Sequence, residues 1–311
     1  MAMKKAMLSL SNSFRGTPAP VTTREQLEDE HTTKVLELRK LLGPLEGHTA
    51  IFCSDDCLVR YLKARNWNVK NAEKMLKNTI KWREAYKPEE IRWAEVAHEG
   101  ETGKVYRLAR LDKKGRPVVI MRPSAQNTKD HDQQIRHLVY VLENAVDAAT
   151  MAGSEKIVWL IDFHKWSLRS SPPMKTSRQT LDILQNHFPE RLGLAVCYNP
   201  PKMFGMFWNL IQPFVDPVTH KKVRFVQGKS KDCKALMEET FELEHLEEAF
   251  GGQSKATFDF AAYTQMMEED ERRIAQYWDQ PVSSSSRAIA VESKRPEDVL
   301  VNGVAAMKVV E

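Results

Sequence analysis

Between Lys104 and Gln227 the apolar residues change period several times, and this alternation limits the possible folds more than any other feature of the chain. Val105 to Leu111 alternates, Lys113-Lys114-Gly115-Arg116 supplies a hairpin turn, and Pro117 to Met121 returns as a second strand. The spacing then predicts a helix from about His131 to Met151 and a strand from Lys156 to Phe163. A helix after Pro172-Pro173 up to His187 follows, then a strand from Leu192 to Cys197, a helix from Lys202 to Phe214 and a strand from Val223 to Gln227. Strands joined through helices need crossover connections, so the predicted class is α/β with a mostly parallel sheet covered by helices. No repeat of solenoid length is present.

Ahead of the sheet, helices are predicted from Thr23 to Leu42, from about Asp55, and from Val69 to Tyr86. Gly43-Pro44 and Pro88 supply stops. The inner positions are Leu27, Val35, Leu38 and Leu42, then Leu58, Tyr61 and Leu62, then Ala72, Leu76, Ile80 and Trp82-Arg83. Together these make a small helical bundle. Closing helices are predicted at Lys231 to Met237, His245 to Phe250 and Phe258 to Gln276, with Gly251-Gly252 as a helix stop. The expected organisation is a basic tail over 1–22, a helical module over 23–95, an α/β domain over 96–255, a C-terminal helix over 256–281 and a tail over 282–311.

With 311 residues, 42% of them hydrophobic, the chain can bury a full core, and a net charge of +4 is too slight to argue for nucleic acid. No apolar run approaches the roughly 20 residues of a membrane-spanning helix. A cytoplasmic protein that meets membranes peripherally is expected. The first 24 residues lack Asp and Glu and carry Lys4, Lys5, Arg15 and Arg24, a composition shared with transit peptides and with disordered basic tails. Cys53, Cys57, Cys197 and Cys233 form no disulfide framework, and no apolar leader opens the sequence, so a reducing compartment is expected. Cys53 and Cys57 with His48 are too loosely spaced for a metal site, and no second ligand pair follows.

No cofactor is implied, because neither G-x-G-x-x-G nor a Walker loop follows a strand. The G-x-S-x-G of a hydrolase is also missing. Asp162 and His164 with Ser167, Ser170 or Ser171 make a triad only on paper, and strand-end capping accounts for them better. His187 reads as a helix-terminal histidine facing the dipole rather than as a base. No catalytic residue is assigned and the chain is not expected to be an enzyme.

A different chemistry is concentrated between Phe188 and Lys222. A helix carrying Phe204, Phe207, Trp208, Ile211 and Phe214, bounded by Pro200-Pro201 and Pro213, stands between Glu190 on one side and Thr219 with Lys222 on the other. By periodicity alone the stripe is an ordinary core helix. Taken singly, Glu190 is half of a surface pair with Arg191, Thr219 a turn residue after Pro217, and Lys222 a solvated charge. Taken together, an apolar door beside a carboxylate, a hydroxyl and cations fits a lipid with a polyol phosphate headgroup. Arg65 would add a second cation.

At these residues the chain resembles a known family. DDCLVRYLKARNWNVKNAEKMLKNTIKWR, beginning at Asp55, resembles the helical N-terminal module of CRAL-TRIO lipid-binding proteins. KGRPV, IVWLIDF, FPERLG and PFVDPVTHKKVRF resemble their lipid-binding domain, and the likeness runs from about residue 23 to 255. Within that family it is to the phosphatidylinositol transfer proteins. The resemblance implies a hydrophobic lipid pocket, inositol-phosphate contacts at Arg65, Glu190, Thr219 and Lys222, and a mobile gate in the helix ahead of DPVT. Phosphatidylinositol is the implied ligand, with a tocopherol- or sterol-like molecule as the alternative and a lipid hydrolase behind both. Anionic membranes, met by Lys221, Arg224 and Lys229, and a phosphoinositide kinase are the implied partners. In two places the chain departs from the family pattern. Asn66 stands where a basic residue follows Arg65, and Ile157 and Trp159 stand where choline-binding members place hydroxyls.

Overall fold

The computed structural model describes residues 24–167 and 173–279, so both expected tails, together with Ser170 and Ser171, lie outside the described residues. Four helices come first: α1 (Arg24–Leu42), α2 (Gly47–Phe52), α3 (Asp55–Ala64) and α4 (Val69–Tyr86). Ser54 caps α3 by accepting the Cys57 N–H, and Asn68 caps α4 through the Asn71 N–H. Lys87, in a left-handed conformation before Pro88, ends α4. Leu38, Leu58, Tyr61, Leu62, Ala72 and Leu76 bury together as one core. Leu27 is instead exposed, in a first stretch of α1 whose residues 26–30 are all exposed. The short helix α2 lies in a stretch too brief to show a helical period.

Helix α5 (Trp93–Gly100) leads into β1 (Val105–Leu111) and β2 (Pro117–Met121), an antiparallel pair turned at Gly115, whose φ is +70°. Asp112 tightens that turn by accepting the Lys114 and Arg116 N–H groups at 3.0 and 2.7 Å. After α6 (His131–Met151) come β3 (Ile157–Asp162), α7 (Met174–Asp182) with a π-helical turn over Ile183–His187, and β4 (Leu192–Tyr198). Then follow α8 (Phe204–Ile211), a 3-10 turn over Gln212–Phe214, α9 (Pro217–Lys222), β5 (Val223–Val226), α10 (Lys231–Thr240), a 3-10 turn over Glu248–Phe250, and α11 (Phe260–Trp278). Gly251, at φ +83°, stops the last 3-10 turn.

The five strands pair in chain order, parallel from β2 to β5. Parallel neighbours added in sequence by right-handed crossovers place their connecting helices on one face. The register agrees. Arg107, Val119, Trp159, Ala195 and Val223 share a face, where Arg107 bonds Asn144 of α6, and Val223 packs with Phe204 of α8. The opposite face is covered by the C-terminal part of the domain, through Phe250 on Tyr198 and Phe258 on Tyr106 at centroid distances of 5.4 and 4.7 Å. The helical bundle is fixed to this layer through Arg83, which donates to Glu143 of α6 at 2.7 and 3.1 Å and to Glu89 at 3.1 Å.

Candidate functional site

The FPERLG segment links the π-helical turn to β4, and in it Glu190 adopts φ +59°, a conformation non-glycine residues rarely take. Lys156, the residue before β3, holds it there. Its ammonium donates to the Glu190 carbonyl at 2.5 Å and to the carboxylate Oε2 at 3.0 Å. Lys222 Nζ approaches the same Oε2 at 3.6 Å. Burial alone pushes the Glu190 carboxyl up, but the Lys156 hydrogen bond and the two ammonium charges more than offset it and hold the group below the usual carboxylate range. One ionised carboxylate therefore serves two cations, all three side chains between 20% and 35% exposed.

Thr219, which taken singly read as a turn residue after Pro217, sits with Lys222 on α9. Asp216 caps this helix through the Val218 and Thr219 N–H groups at 3.0 and 2.8 Å. Three residues apart on a helix, Thr219 and Lys222 face the same side. Arg65 is placed differently. It caps α3 and donates to the Ala64 carbonyl at 2.9 Å and to Asn186 Oδ1 at 3.4 Å. It lines a cleft of about 450 Å³ with Asn71, Lys74, Asn78, Asp182 and Asn186. The structure thus brings Glu190 and Lys222 together with Thr219 on the same helix, while Arg65 sits at the seam between the helical bundle and the π-helical turn.

That seam also holds His187. Its ring stacks on Trp82 at 4.2 Å, and its Nδ1 lies 3.0 Å from Thr79 Oγ1. Burial lowers its pKa to about 4, with Arg83 adding to the shift and Asp182 opposing it. His187 ends the π-helical turn, as expected, but burial keeps its ring neutral and packed instead of leaving a cation to face the dipole. Asp162 accepts the main-chain N–H of His164 at 2.8 Å, which is the turn-capping role rather than a triad.

Helix α8 is apolar on more than one side. Phe204 is buried against Phe163 and Trp166 at 4.3 and 5.4 Å, and Ile211 is buried as well. Trp208 meets the edge of Phe225 at 5.1 Å. Met206 and Leu210 of the same helix are each 59% exposed. Phe214 falls on the 3-10 turn made at Pro213 and is exposed, with the Arg178 guanidinium 4.9 Å from its ring. The Phe207 side chain lies outside the described residues. Lys221, Arg224 and Lys229 are all exposed beside α9 and β5.

All four cysteines are free and buried, and burial pushes the Cys53 and Cys197 thiols up to about 12. Among the described residues no cluster of His, Cys, Asp and Glu could hold a metal ion, and no helix is long and apolar enough to cross a membrane. Lys156 was the residue that sequence reasoning missed. A lysine ahead of a strand reads as solvated, and only the parallel pairing of Ile157 with Leu192 carries it to Glu190.

Comparison with known proteins gives a consistent picture. The CRAL/TRIO domain family matches residues 100–252, and the CRAL/TRIO N-terminal domain family matches residues 24–78. A CRAL-TRIO domain-containing protein of Schizosaccharomyces pombe is 36% identical over 212 residues, covering 65% of this chain and 21% of that protein. The phosphatidylinositol transfer protein PDR17 of Saccharomyces cerevisiae is 34% identical over 194 residues, covering 58% of this chain and 55% of that one. The chain therefore spans only part of the length of these two relatives. The SEC14 cytosolic factor of Eremothecium gossypii is 30% identical over 263 residues, covering 78% of this chain and 81% of the factor. The crystal structure of Sfh5 aligns with a TM-score of 0.58 at 17% identity, over 80% of this chain and 96% of that one, a likeness of fold. By domain match, identity and coverage, the chain belongs to the CRAL/TRIO family.

Proposed function

We propose that the protein binds one phospholipid, phosphatidylinositol, and carries it between membranes without bond chemistry. The observation that carries this reading is the Glu190 carboxylate shared by Lys156 and Lys222, in a domain whose helix α8 exposes the apolar side chains of Met206 and Leu210. A carboxylate accepts from ring hydroxyls, ammonium groups neutralise a phosphodiester, and Thr219 bonds either way. Arg65 contributes from the neighbouring cleft. Extracting a two-chain lipid exposes some thirty methylenes at about 0.8 kcal/mol each, so the acyl chains need an apolar enclosure. Swinging α8 off the sheet would open one, lined by Ile161, Cys197 and Val223 below and by Phe204 and Trp208 above.

Met206, Leu210, Phe214 and Val218 then meet the bilayer first, with Lys221, Arg224 and Lys229 on the anionic cytoplasmic leaflet. Ile157 and Trp159, buried and apolar, offer choline no hydroxyl. The test is native mass spectrometry after incubation with vesicles of phosphatidylinositol and phosphatidylcholine, followed by lipid extraction. A one-to-one complex with phosphatidylinositol is expected. Recovery of a sterol- or tocopherol-like molecule from the purified protein, with no inositol lipid taken up, would overturn the reading.

A further inference from the structure

The headgroup site just proposed has one feature that its residue set did not require. Two ammonium groups converge on Glu190, and the second belongs to Lys156, outside both FPERLG and DPVT. Lys156 makes the closer contacts, to the carbonyl as well as the carboxylate. The Gly193 backbone passes close to Lys156, since a Cβ added at Gly193 would lie 3.0 Å from the Lys156 Cβ. The adjoining backbone is fixed by the Ile157 N–H on the Arg191 carbonyl at 2.7 Å and by the Arg191 guanidinium on the Glu155 carbonyl at 3.2 Å.

A residue needed only to neutralise Glu190 would be redundant with Lys222. A second cation gives the cluster a net positive charge, with one ammonium available when a phosphodiester arrives. Asn66, beside Arg65, supplies no such charge.

Resting on the headgroup reading above, we infer that Lys156 is a specificity-determining residue, holding Glu190 in its left-handed conformation as the hydroxyl acceptor and offering its ammonium to the phosphate of an inositol lipid. The phosphodiester is common to phosphatidylcholine, so the discrimination lies at the headgroup: choline has no hydroxyl to donate to Glu190, and its quaternary ammonium meets a cluster with one positive charge in excess. Lys156 therefore biases uptake toward the inositol lipid.

The experiment uses the full chain and vesicles with equal phosphatidylinositol and phosphatidylcholine, scoring the lipid extracted from Lys156→Gln, Lys156→Arg, Glu190→Gln and Lys222→Gln. Lys156→Gln should lower phosphatidylinositol loading by about tenfold, the scale of one charged hydrogen bond, and Lys156→Arg should restore most of it. Lys156→Gln should also move the acid loss of loading to higher pH, because Glu190 then takes up a proton sooner. A merely structural lysine would not shift that profile. If Glu190→Gln and Lys222→Gln load phosphatidylinositol as the parent does, the headgroup reading itself fails. If those two variants lose loading while Lys156→Gln keeps the parent's loading and pH profile, only the role of Lys156 is overturned. Equal losses in Lys156→Gln and Lys156→Arg, accompanied by a lower Tm in both, also overturn it.

Discussion

Arg83 and Glu190 are both centres of three-charge clusters, and they are built in opposite senses. Arg83 is one cation between two carboxylates, Glu143 and Glu89, with Arg83 and Glu89 each 8% and Glu143 16% exposed. Its guanidinium also lies 4.4 Å from the Phe52 ring centre and 5.5 Å from that of Trp278. Glu190 is one carboxylate between two lysines, with more solvent on all three and fewer hydrogen bonds on each ammonium. The first cluster joins α2, α4, α6 and α11 and is nearly closed to solvent. The second stays open to solvent, so a ligand can reach its ammonium groups. A closed cluster suits a joint, and an open one suits a ligand.

The largest effect should come from breaking the joint. Glu143→Ala leaves a buried guanidinium with one partner fewer, and removing one member of a buried pair costs about 3–5 kcal/mol. Chemical denaturation should show that loss, with lipid binding lost only as the fold is lost. Little change in stability would show that the Arg83 cluster is no more structural than the Glu190 one.

Acid should weaken the joint's surroundings next. His187, against α4, and the fully buried His137 have pKa values lowered by burial to about 4 and about 3 from an ordinary 6.5. The unfolded chain binds these protons first, so stability is complete above about pH 6.5 and falls as pH drops toward 4, by on the order of several kcal/mol. Glu190, with its depressed pKa, adds a loss only at pH values below its unfolded value of 4.5. Urea midpoints measured from pH 7 down to 4 should therefore decline, and His187→Gln should flatten part of that slope. A flat profile in the parent protein would show that neither histidine is held neutral.

These contrasts also mark what the sequence could show. Helix α4 is legible to the residue because the apolar period and Pro88 are local signals, and β1 and β2 are likewise bounded by Pro117 and the Lys-Gly-Arg turn. The helices α2 and α9 are not, since six residues are fewer than two turns and show no repeat of the helical period. Helix α5 was missed too, although Trp93 and Val96 are buried on one side of it. Glu190 and Lys222 could be paired from their motifs. Lys156 could not, because it reaches Glu190 through strand register, and neither could the distance of Arg65 from the cluster, which depends on how the bundle docks at Asn186 and His187.

Within the open cluster, Lys222→Ala removes one of two cations, its side chain 22% exposed, and leaves Lys156 on the carboxylate, so the change in stability should stay below about 1 kcal/mol. Phosphatidylinositol transfer between vesicles should nonetheless fall by about tenfold, the scale of one charged hydrogen bond to phosphate. Loss of transfer in step with loss of Tm would erase the distinction between the two clusters.

The smallest effect belongs to charges that touch neither cluster. Lys221, Arg224 and Lys229 are exposed, and each near-surface cation contributes about 1 kcal/mol to binding an anionic leaflet. Replacing one with Gln should leave folding and lipid selectivity unchanged and slow transfer only from anionic vesicles. Because such attraction is screened within a Debye length of about 8 Å at physiological ionic strength, the deficit should shrink as salt is raised. Stopped-flow transfer at low and high salt separates this role from that of Lys222, whose loss should persist at high salt because the bound phosphate excludes the screening ions. A Lys221→Gln deficit that survived high salt would place Lys221 in the site instead of on the approach to it.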